Sequence, residues 1–266
     1  MELTDILRCP GTGNKLQFHD EDSIVHVEHS DVTYPIVDGI VDFCPQARDT
    51  VSASYDAIAS RYDAYMTSSN VFMKGLDRIV WGISDDLTYV DTILSYLPSQ
   101  FDGVLLDVPV GTGLFTCSLY ARFPNATIIA VDYSMGMLQK ARSCFQQHNL
   151  SNVHLLRADV ASLPVRGSVV DIVLSMNGLH VFPDKQRSIA EMRRVIRKQG
   201  KLVACCYVKG VRQLSDWFVK HFGVRRGFFT PPFLHMDNIA SQLQGFTIGR
   251  QGNIKSLVYF EAIDSG

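Results

Sequence analysis

Three carboxylates that follow predicted strands are the residues of this sequence best placed to bind a nucleoside. Asp107 and Asp132 end the apolar runs LLD and AVD, and Asp159 follows a third run in LLRAD. Just after the first run, Gly111 and Gly113 would let the backbone approach a ligand closely. An acid after the second strand can accept hydrogen bonds from both ribose hydroxyls, and one after the third can accept from an adenine amino group. The spacing therefore predicts an adenosine cofactor.

The glycine pattern also bears on which adenosine cofactor is bound. A dinucleotide fingerprint has a third glycine three positions after the second, but Thr116 stands there. Pro109 removes a backbone donor that a pyrophosphate would use, whereas Val160 can pack on an adenine ring. A structural turn alone would also give Gly-x-Gly, but the three acids together favour a cofactor without phosphate over NAD.

Alternating strand and helix patterns position these residues. Between residues 103 and 208, continuous apolar runs that are typical of strands covered on both faces alternate with helical patterns. Such an order predicts an α/β doubly wound, mostly parallel sheet, whose ligand lies beyond the carboxyl ends of the strands. The runs GFTIGR and KSLVYFEA at the end are separated only by residues 251–254. So short a loop allows an antiparallel hairpin but no helical crossover.

Other parts of the chain have different patterns. Residues 1–45 contain short alternating runs broken by Gly and Pro, which predicts a small β-rich unit. Residues 46–100 show helical spacing and are interpreted as a helical cap or linker region. Residues 101–266 form the large α/β unit, in which residues 209–238 insert six large aromatic side chains before the hairpin. That insertion is compatible with a helix packed on the core or with an apolar lid over a hydrophobic acceptor.

Composition restricts the functional classes. With 25 basic and 27 acidic residues, the chain has no global field that favours nucleic acid or an anionic membrane. The apolar runs are too short to span a bilayer, and the first residues lack a signal-peptide pattern, so we expect a cytoplasmic protein. One set of basic residues is compatible with RNA contact but more typical of a solvated surface: Arg193, Arg194, Arg197, Lys198, Lys201, Arg225 and Arg226.

The six cysteines do not form a metal-binding pattern. No Cys-x-x-Cys pair is present, so a zinc ribbon lacks its ligands. Cys205 and Cys206 are adjacent in a predicted strand and would point to opposite faces, as two unrelated packing residues.

Residues 103–262 resemble the class I S-adenosylmethionine-dependent methyltransferases. The resemblance lies in LLDVPVGTG, VDYS, RADVASLPV, VVDIVLSMNGLHVF, AEMRRVIRKQGKLV and the closing hairpin. It implies a Rossmann-like sheet of seven strands whose last strand is antiparallel, with S-adenosyl-L-methionine as cofactor. The family usually has Gly where this chain has Pro109. Carried over by position, the implied cofactor-binding residues are Tyr55, Tyr62, Asp107, Pro109, Gly111, Gly113, Asp132, Tyr133, Ser134, Met137, Asp159, Val160, Ser175, Met176 and Asn177.

Residues 1–45 are similar to the zinc-ribbon-like proteins that bind and activate methyltransferases, in their metal-free form. The similarity lies in CPGTGNKLQFHDED and VTYPIVDGIVDF. Relatives often have paired cysteines, but only Cys9 stands in such a position here, so we expect no bound metal and interpret the unit as a fused scaffold or substrate-lid module.

Methyl transfer from a sulfonium mainly requires alignment of the acceptor and exclusion of water. His180, in NGLHVF, is the candidate catalytic residue, and simple packing is its alternative role. Phe228, Phe229 and Phe233 are predicted to form the substrate lid, while Trp217 and Phe218 pack inward. The favoured acceptor is a small hydrophobic or aromatic molecule. Methylation of RNA and cofactor binding without catalysis remain alternatives, and an NAD oxidoreductase is disfavoured.

Overall fold

The computed structural model describes residues 2–18, 23–46 and 88–265. The strands of these ranges are, in chain order, β1 Leu16–Phe18, β2 Ile24–Val27, β3 Thr33–Val37, β4 Ile40–Asp42, β5 Val104–Asp107, β6 Thr127–Asp132, β7 Val153–Arg157, β8 Val170–Met176, β9 Ile196–Tyr207, β10 Phe246–Ile254 and β11 Leu257–Asp264. Together they form one sheet in the order β1-β2-β3-β4-β7-β6-β5-β8-β9-β11-β10.

Short helices and turns connect the strands. The α-helices of the described ranges are Leu3–Ile6, Thr88–Leu94, Cys117–Tyr120, Met135–Gln147, Lys185–Val195, Gln213–Phe218 and Ile239–Gln242. Two 3₁₀ turns span Val160–Ser162 and Met236–Asn238, and a π-helical turn spans Val219–Gly223. Among these residues, no helix is both long enough and apolar enough to cross a membrane.

The centre of the sheet is parallel and buried on both faces. The strand order reverses between β5 and β8, because the chain builds β6 and β7 on one side and then returns to build β8 and β9 on the other. Two hydrophobic clusters cover the faces, and Cys205 belongs to one while Cys206 belongs to the other, as alternation along a strand requires. The predicted α/β architecture is confirmed, and it places the carboxyl ends of β5, β6, β7 and β8 at one edge.

Of the eleven strands in the described residues, seven, β5 to β11, lie in the region of the resemblance, which implies that number, and four lie in the N-terminal region. β4 joins the edge of the parallel centre, where Val41 pairs with Leu156 and Asp42 with Arg157 of β7. β3, β2 and β1 then continue antiparallel from β4. The residues of the N-terminal unit therefore extend the main sheet, and antiparallel strands flank the parallel centre at both edges.

The closing hairpin is present, with longer strands than the sequence predicts. β10 pairs with β11, which in turn lies antiparallel to β9. Strand pairing reaches Ile254 and Leu257, so that only residues 255–256 form the turn. Lys255 takes a left-handed conformation there, with φ of 56°.

The helix before β9 ends at Val195, because Ile196 already pairs with Val170 of β8. An irregularity in register then occupies the residues up to Lys201. A short helix, Cys117–Tyr120, follows the glycine loop. Of the helical region 46–100, the structure describes residue 46 and residues 88–100, and Tyr55 and Tyr62 lie outside the described residues.

Candidate cofactor and acceptor site

The acid at the end of β5 lies in a fully enclosed position. Asp107 is buried, and the hydroxyl of Tyr120 donates a hydrogen bond of 2.5 Å to its Oδ2. Its Oδ1 has no partner within the described residues. Burial raises the pKa of the Asp107 carboxyl to about 7. A buried acceptor without a partner is costly, which is consistent with a site that a polar ligand completes.

The two glycines of the loop after β5 have different surroundings. Both have positive φ, 59° at Gly111 and 75° at Gly113. A Cβ on Gly111 would point into open space, whereas one on Gly113 would lie 2.9 Å from the ring of Phe145. Gly113 thus seats the loop on the helix Met135–Gln147, and Gly111 leaves the room that a ligand needs. Pro109, after a cis peptide bond, lies against Gly178 in the loop that follows β8.

The acid at the end of β6 fastens this loop. Asp132 is buried, and its Oδ2 accepts from the backbone N–H of Gly111 at 2.9 Å, while its Oδ1 accepts from that of Ser134 at 2.9 Å. Ser134 caps the following helix, since its Oγ accepts from the backbone N–H of Met137 at 3.1 Å. Met137 itself is buried. Each carboxylate oxygen of Asp132 can accept a further hydrogen bond, so loop fastening and ribose binding are compatible.

The acid after β7 is exposed and begins a short turn. Oδ1 of Asp159 accepts from the backbone N–H of Ala161 at 2.8 Å and thereby caps the turn Val160–Ser162. Val160 is buried in the hydrophobic core. Next to them, the guanidinium of Arg157 lies over the ring of Tyr133, 5.8 Å from its centroid, and its Nε donates to the Tyr133 carbonyl at 3.0 Å.

The N-terminal strand adds residues to this side of the site that sequence reasoning missed. Nη1 of Arg157 lies 3.1 Å from Oδ2 of Asp42, and both side chains are buried. The same Nη1 donates to the carbonyl of Cys44 at 3.2 Å. Burial raises the pKa of the Cys44 thiol to about 11, and the backbone of Asp159 lies within hydrogen-bond reach of that thiol. The sequence contains a signal for Asp42, because GIVD is an apolar run that ends in Asp, like VLLD and IIAVD.

The end of β8 lies against the glycine loop. Ser175 is fully buried, and its Oγ has no hydrogen-bond partner within the described residues. Asn177 has φ of 58°, donates from its backbone N–H to the carbonyl of Cys205 at 3.0 Å and accepts from the thiol of Cys205 at 3.5 Å. That thiol also lies 3.9 Å from the sulfur of the buried Met176. Cys205 therefore holds the backbone turn that follows the predicted cofactor residues.

His180 is buried and neutral. Its Nδ1 accepts a hydrogen bond of 3.2 Å from the backbone N–H of Tyr207, so the proton of the neutral ring lies on Nε2. Burial lowers the pKa of the imidazole to about 3, with a smaller contribution from the nearby charge of Lys185. A ring in this state suits hydrogen-bond donation through Nε2 better than proton abstraction.

One of the three predicted lid phenylalanines, Phe229, closes over His180, and a second, Phe233, contacts Tyr207. The ring of Phe229 stacks on the imidazole with centroids 4.7 Å apart, and it meets Tyr207 edge-on at 5.5 Å. Phe233 also meets Tyr207 edge-on, at 5.4 Å. Phe228 is half-buried beside them. The expectation that Trp217 packs inward is wrong, because 52% of its surface is exposed.

Backbone contacts fix this lid to the loop after β8. Thr230 donates from its backbone N–H to the carbonyl of His180 at 2.9 Å. Nζ of the buried Lys185 donates to the carbonyls of Phe182 at 2.9 Å and Thr230 at 2.5 Å. Burial lowers the pKa of Lys185 to about 8. These bonds hold the aromatic rings in place above the loop that contains Asn177.

A cysteine pair behind the glycine loop was also missed from the sequence. Cys117 and Cys144 are joined by a disulfide that links the helices following β5 and β6. Only after reduction of this disulfide would the two thiolates, with His148, form a group of three ligand atoms among the described residues that is close enough to hold a metal ion. Cys9 is not part of this group, and its thiol lies 3.2 Å from the Tyr34 hydroxyl. No sequence motif predicts that Cys117 and Cys144, 27 positions apart, lie close together.

Comparisons with known proteins agree with this geometry. Residues 105–200 match a family model described as a methyltransferase domain. These residues are therefore similar to a methyltransferase domain. An uncharacterized chloroplastic methyltransferase of Arabidopsis thaliana is 31% identical over 134 residues, or 49% of this chain and 38% of the relative. A malonyl-[acyl-carrier protein] O-methyltransferase of Xylella fastidiosa is 33% identical over 114 residues, or 43% of this chain and 38% of the relative. The chain thus spans well under half the length of these curated relatives.

Solved structures share the fold of the methyltransferase domain. A SAM-dependent methyltransferase from Aquifex aeolicus superposes with a TM-score of 0.56 at 15% identity, over 79% of this chain and 98% of its own. A second match comes from the complex between the Trm112 methyltransferase activator of Haloferax volcanii and a methyltransferase. One chain of that complex superposes with a TM-score of 0.61 at 16% identity, over 83% of this chain and all of its own length. S-adenosylmethionine is the cofactor expected from the sequence, and these relatives support it for this domain.

Proposed function

We propose that this protein transfers a methyl group from S-adenosylmethionine to a small, hydrophobic or aromatic acceptor. The observation that carries the proposal is that Asp107, Asp132, Asp159 and Ser175 all lie at the carboxyl ends of adjacent parallel strands, around the point where strand order reverses. The open space beside Gly111 and the unpartnered buried atoms of Asp107 and Ser175 fit a polar ligand at this place.

Different residues would bind different parts of the cofactor. Asp132 would accept from the ribose hydroxyls while it fastens the glycine loop, and Asp159 would accept from the adenine edge. Asp107, Pro109 and Gly111 would border the methionine part, and Tyr55 and Tyr62 would cover it from the upstream region. When bound, the cofactor supplies a methyl group on a positively charged sulfur, whose charge disappears as the methyl leaves.

The acceptor side is apolar with one well-placed donor. Phe229 and Phe233 border it, Phe228 lies beside them, and their aromatic surfaces would exclude water from the reacting atoms. His180, with Nδ1 occupied, would donate through Nε2 to a polar atom of the acceptor and so orient it. Because the pKa of His180 is low, this residue would be a poor base. An acceptor that must lose a proton would therefore need to ionise by itself or pass the proton to solvent.

The N-terminal strands would serve as a built-in scaffold for the domain. Their similarity to methyltransferase activators and the buried Arg157–Asp42 contact both support this role. In the Haloferax volcanii complex the activator is named separately from the methyltransferase. Here residues 1–45 precede the methyltransferase domain in the same chain, so no separate activator would be required.

The test is methyl transfer from radiolabelled S-adenosylmethionine, with three acceptor sources: a small-molecule extract, total RNA and buffer alone. We expect label in the small-molecule fraction and formation of the demethylated cofactor, both reduced with Asp132→Ala at a cofactor concentration below saturation. Label in RNA alone would contradict the proposed acceptor class. Cofactor binding without transfer to any source would contradict the enzymatic activity.

A further inference from the structure

A helical segment of the lid presents apolar side chains to solvent. The helix Gln213–Phe218 continues directly into the π-helical turn Val219–Gly223. On the outer side of this segment, the exposed fraction is 40% for Leu214, 52% for Trp217 and 42% for Phe222. Val211, just before the helix, is 37% exposed. We call these four residues, together with the partly buried Phe218 that stacks on Phe222, the outer stripe.

The outer stripe is one continuous face. Leu214, Trp217 and Phe218 are spaced by three and four residues, which places them on the same side of a helix. The Trp217 and Phe222 ring centroids are 5.6 Å apart, and those of Phe218 and Phe222 are 5.3 Å apart. The other side of the segment faces the protein, where Ser215, Val219 and Gly223 are buried. This second apolar face is therefore additional to the one that docks the helix.

Cationic residues flank the outer stripe in sequence, and all of them except the half-buried Arg212 are exposed. Between residues 209 and 226 the chain has one acid, Asp216, and five lysines and arginines: Lys209, Arg212, Lys220, Arg225 and Arg226. Asp216 accepts from the hydroxyl of Tyr207 at 2.6 Å and from the backbone N–H of Gly210 at 3.1 Å. Its charge is thus directed toward the protein, and the solvent side of the segment is positive although the whole chain has a formal charge of −2.

We infer that the outer stripe docks on an anionic lipid surface. Aromatic and aliphatic side chains on one face of a helix, with lysine and arginine beside them, are the pattern of helices that lie in the membrane interface. Anionic headgroups attract the cations, and the acyl boundary accepts Trp217, Leu214 and Phe222. A nucleic acid could bind the same cations, but its binding would not explain why the aliphatic side chains of Leu214 and Val211 are exposed. Phe222 and the buried Gly223 are adjacent, and the ring of Phe229 lies over Gly223. The helical segment that carries the outer stripe therefore also contacts the proposed acceptor side through Gly223.

Vesicle binding of the full chain tests this inference without any methyl acceptor. In Trp81→Phe, Trp217 is the single tryptophan, and its emission reports its surroundings. We expect a blue shift and co-sedimentation with vesicles of phosphatidylcholine and phosphatidylglycerol in equal parts, and weak binding to phosphatidylcholine alone. Lys220→Gln should lower the affinity about fivefold, and added salt should weaken binding.

Variants separate lipid docking from other occupants. Leu214→Gln with Phe222→Gln should lower vesicle affinity by about tenfold or more. Ile263→Gln, at a side chain 42% exposed elsewhere, and Lys198→Gln are the matched controls and should bind vesicles normally. The inference is overturned if neither vesicle type binds, or if only the charge variant lowers binding. It is equally overturned if RNA binds and competes with vesicles, or if the Gln double variant changes a dimer into a monomer and leaves vesicle binding intact.

Discussion

Arg157, the last residue of β7, forms a buried ion pair with Asp42, the last residue of the N-terminal strand β4, with 3.1 Å between Nη1 and Oδ2. The pair joins the first strands of the chain to the strand whose end borders the proposed adenine site. Because Arg157 also contacts the ring and carbonyl of Tyr133, one side chain connects three parts of the site.

Removing one partner of this pair should destabilise the fold. In Asp42→Asn the guanidinium loses its charge partner in a buried position, and we expect the free energy of unfolding to fall by about 3 kcal/mol. Urea unfolding measures the change. Asp31→Asn, in an exposed turn of the same N-terminal region, is the control. Equal stability of the two variants would show that the N-terminal strands attach through backbone pairing alone.

Loss of the Asp132 carboxylate should weaken cofactor binding by about 1–3 kcal/mol. Asp132→Ala removes the acceptor of the Gly111 and Ser134 amides as well as the proposed ribose contact. Asp132→Asn keeps one oxygen for the loop, so we expect a smaller loss in that variant. Calorimetry with S-adenosylmethionine gives both values. Unchanged affinity in a folded Asp132→Ala would show that the residue only fastens the loop.

Cofactor affinity should depend on pH through Asp107. Its pKa is raised by burial from 3.8 to about 7, so between these values the folded protein holds a proton that the unfolded chain has released. The free energy of unfolding should therefore fall as pH rises through this window. A cationic ligand beside Asp107 favours the carboxylate, and the affinity for S-adenosylmethionine should rise from pH 6 to pH 8 with release of a proton.

Calorimetry in buffers of different ionisation enthalpy detects that proton. The control is Asp107→Asn, in which both the pH dependence of affinity and the proton release should disappear. A wild-type affinity that is constant over this pH range would mean that Asp107 does not face the positive part of the cofactor.

Truncation of the lid should separate acceptor use from cofactor binding. Phe229→Ala and Phe233→Ala remove rings that border the acceptor side, so methyl transfer should fall at least about tenfold while cofactor affinity changes little. Phe101→Ala removes a half-buried ring that packs on Phe123 near the start of β5, which makes it a control for general loss of packing. Parallel loss of cofactor binding and transfer in the lid variants would assign these rings to the core.

Local patterns predicted the centre of the fold and most of the candidate site. Acids and glycines that directly follow apolar runs must lie at strand ends, and parallel strands bring those ends to one edge. Asp107, Asp132 and Asp159 can therefore be predicted at one edge from local sequence alone. The structure brings the ends of their strands together.

Features that depend on distant contacts were not accessible in this way. The pairing of Val41 with Leu156 joins segments more than a hundred residues apart, and nothing local marks β4 as a neighbour of β7. The same holds for Cys117 and Cys144. The exposure of Trp217 could not be predicted, because a helix with apolar residues on two faces does not reveal which face docks. Overall charge also concealed the cations around that helix, since acids elsewhere compensate them.

We infer that the site holds an adenosine cofactor without a pyrophosphate. Calorimetric titration of the purified protein with S-adenosylmethionine, its demethylated product and NAD tests that claim most directly. The loop of Pro109, Gly111 and Gly113, with Thr116 in place of a third glycine, predicts binding of the first two compounds and no binding of NAD. Binding of NAD more tightly than either would contradict the proposed methyltransferase.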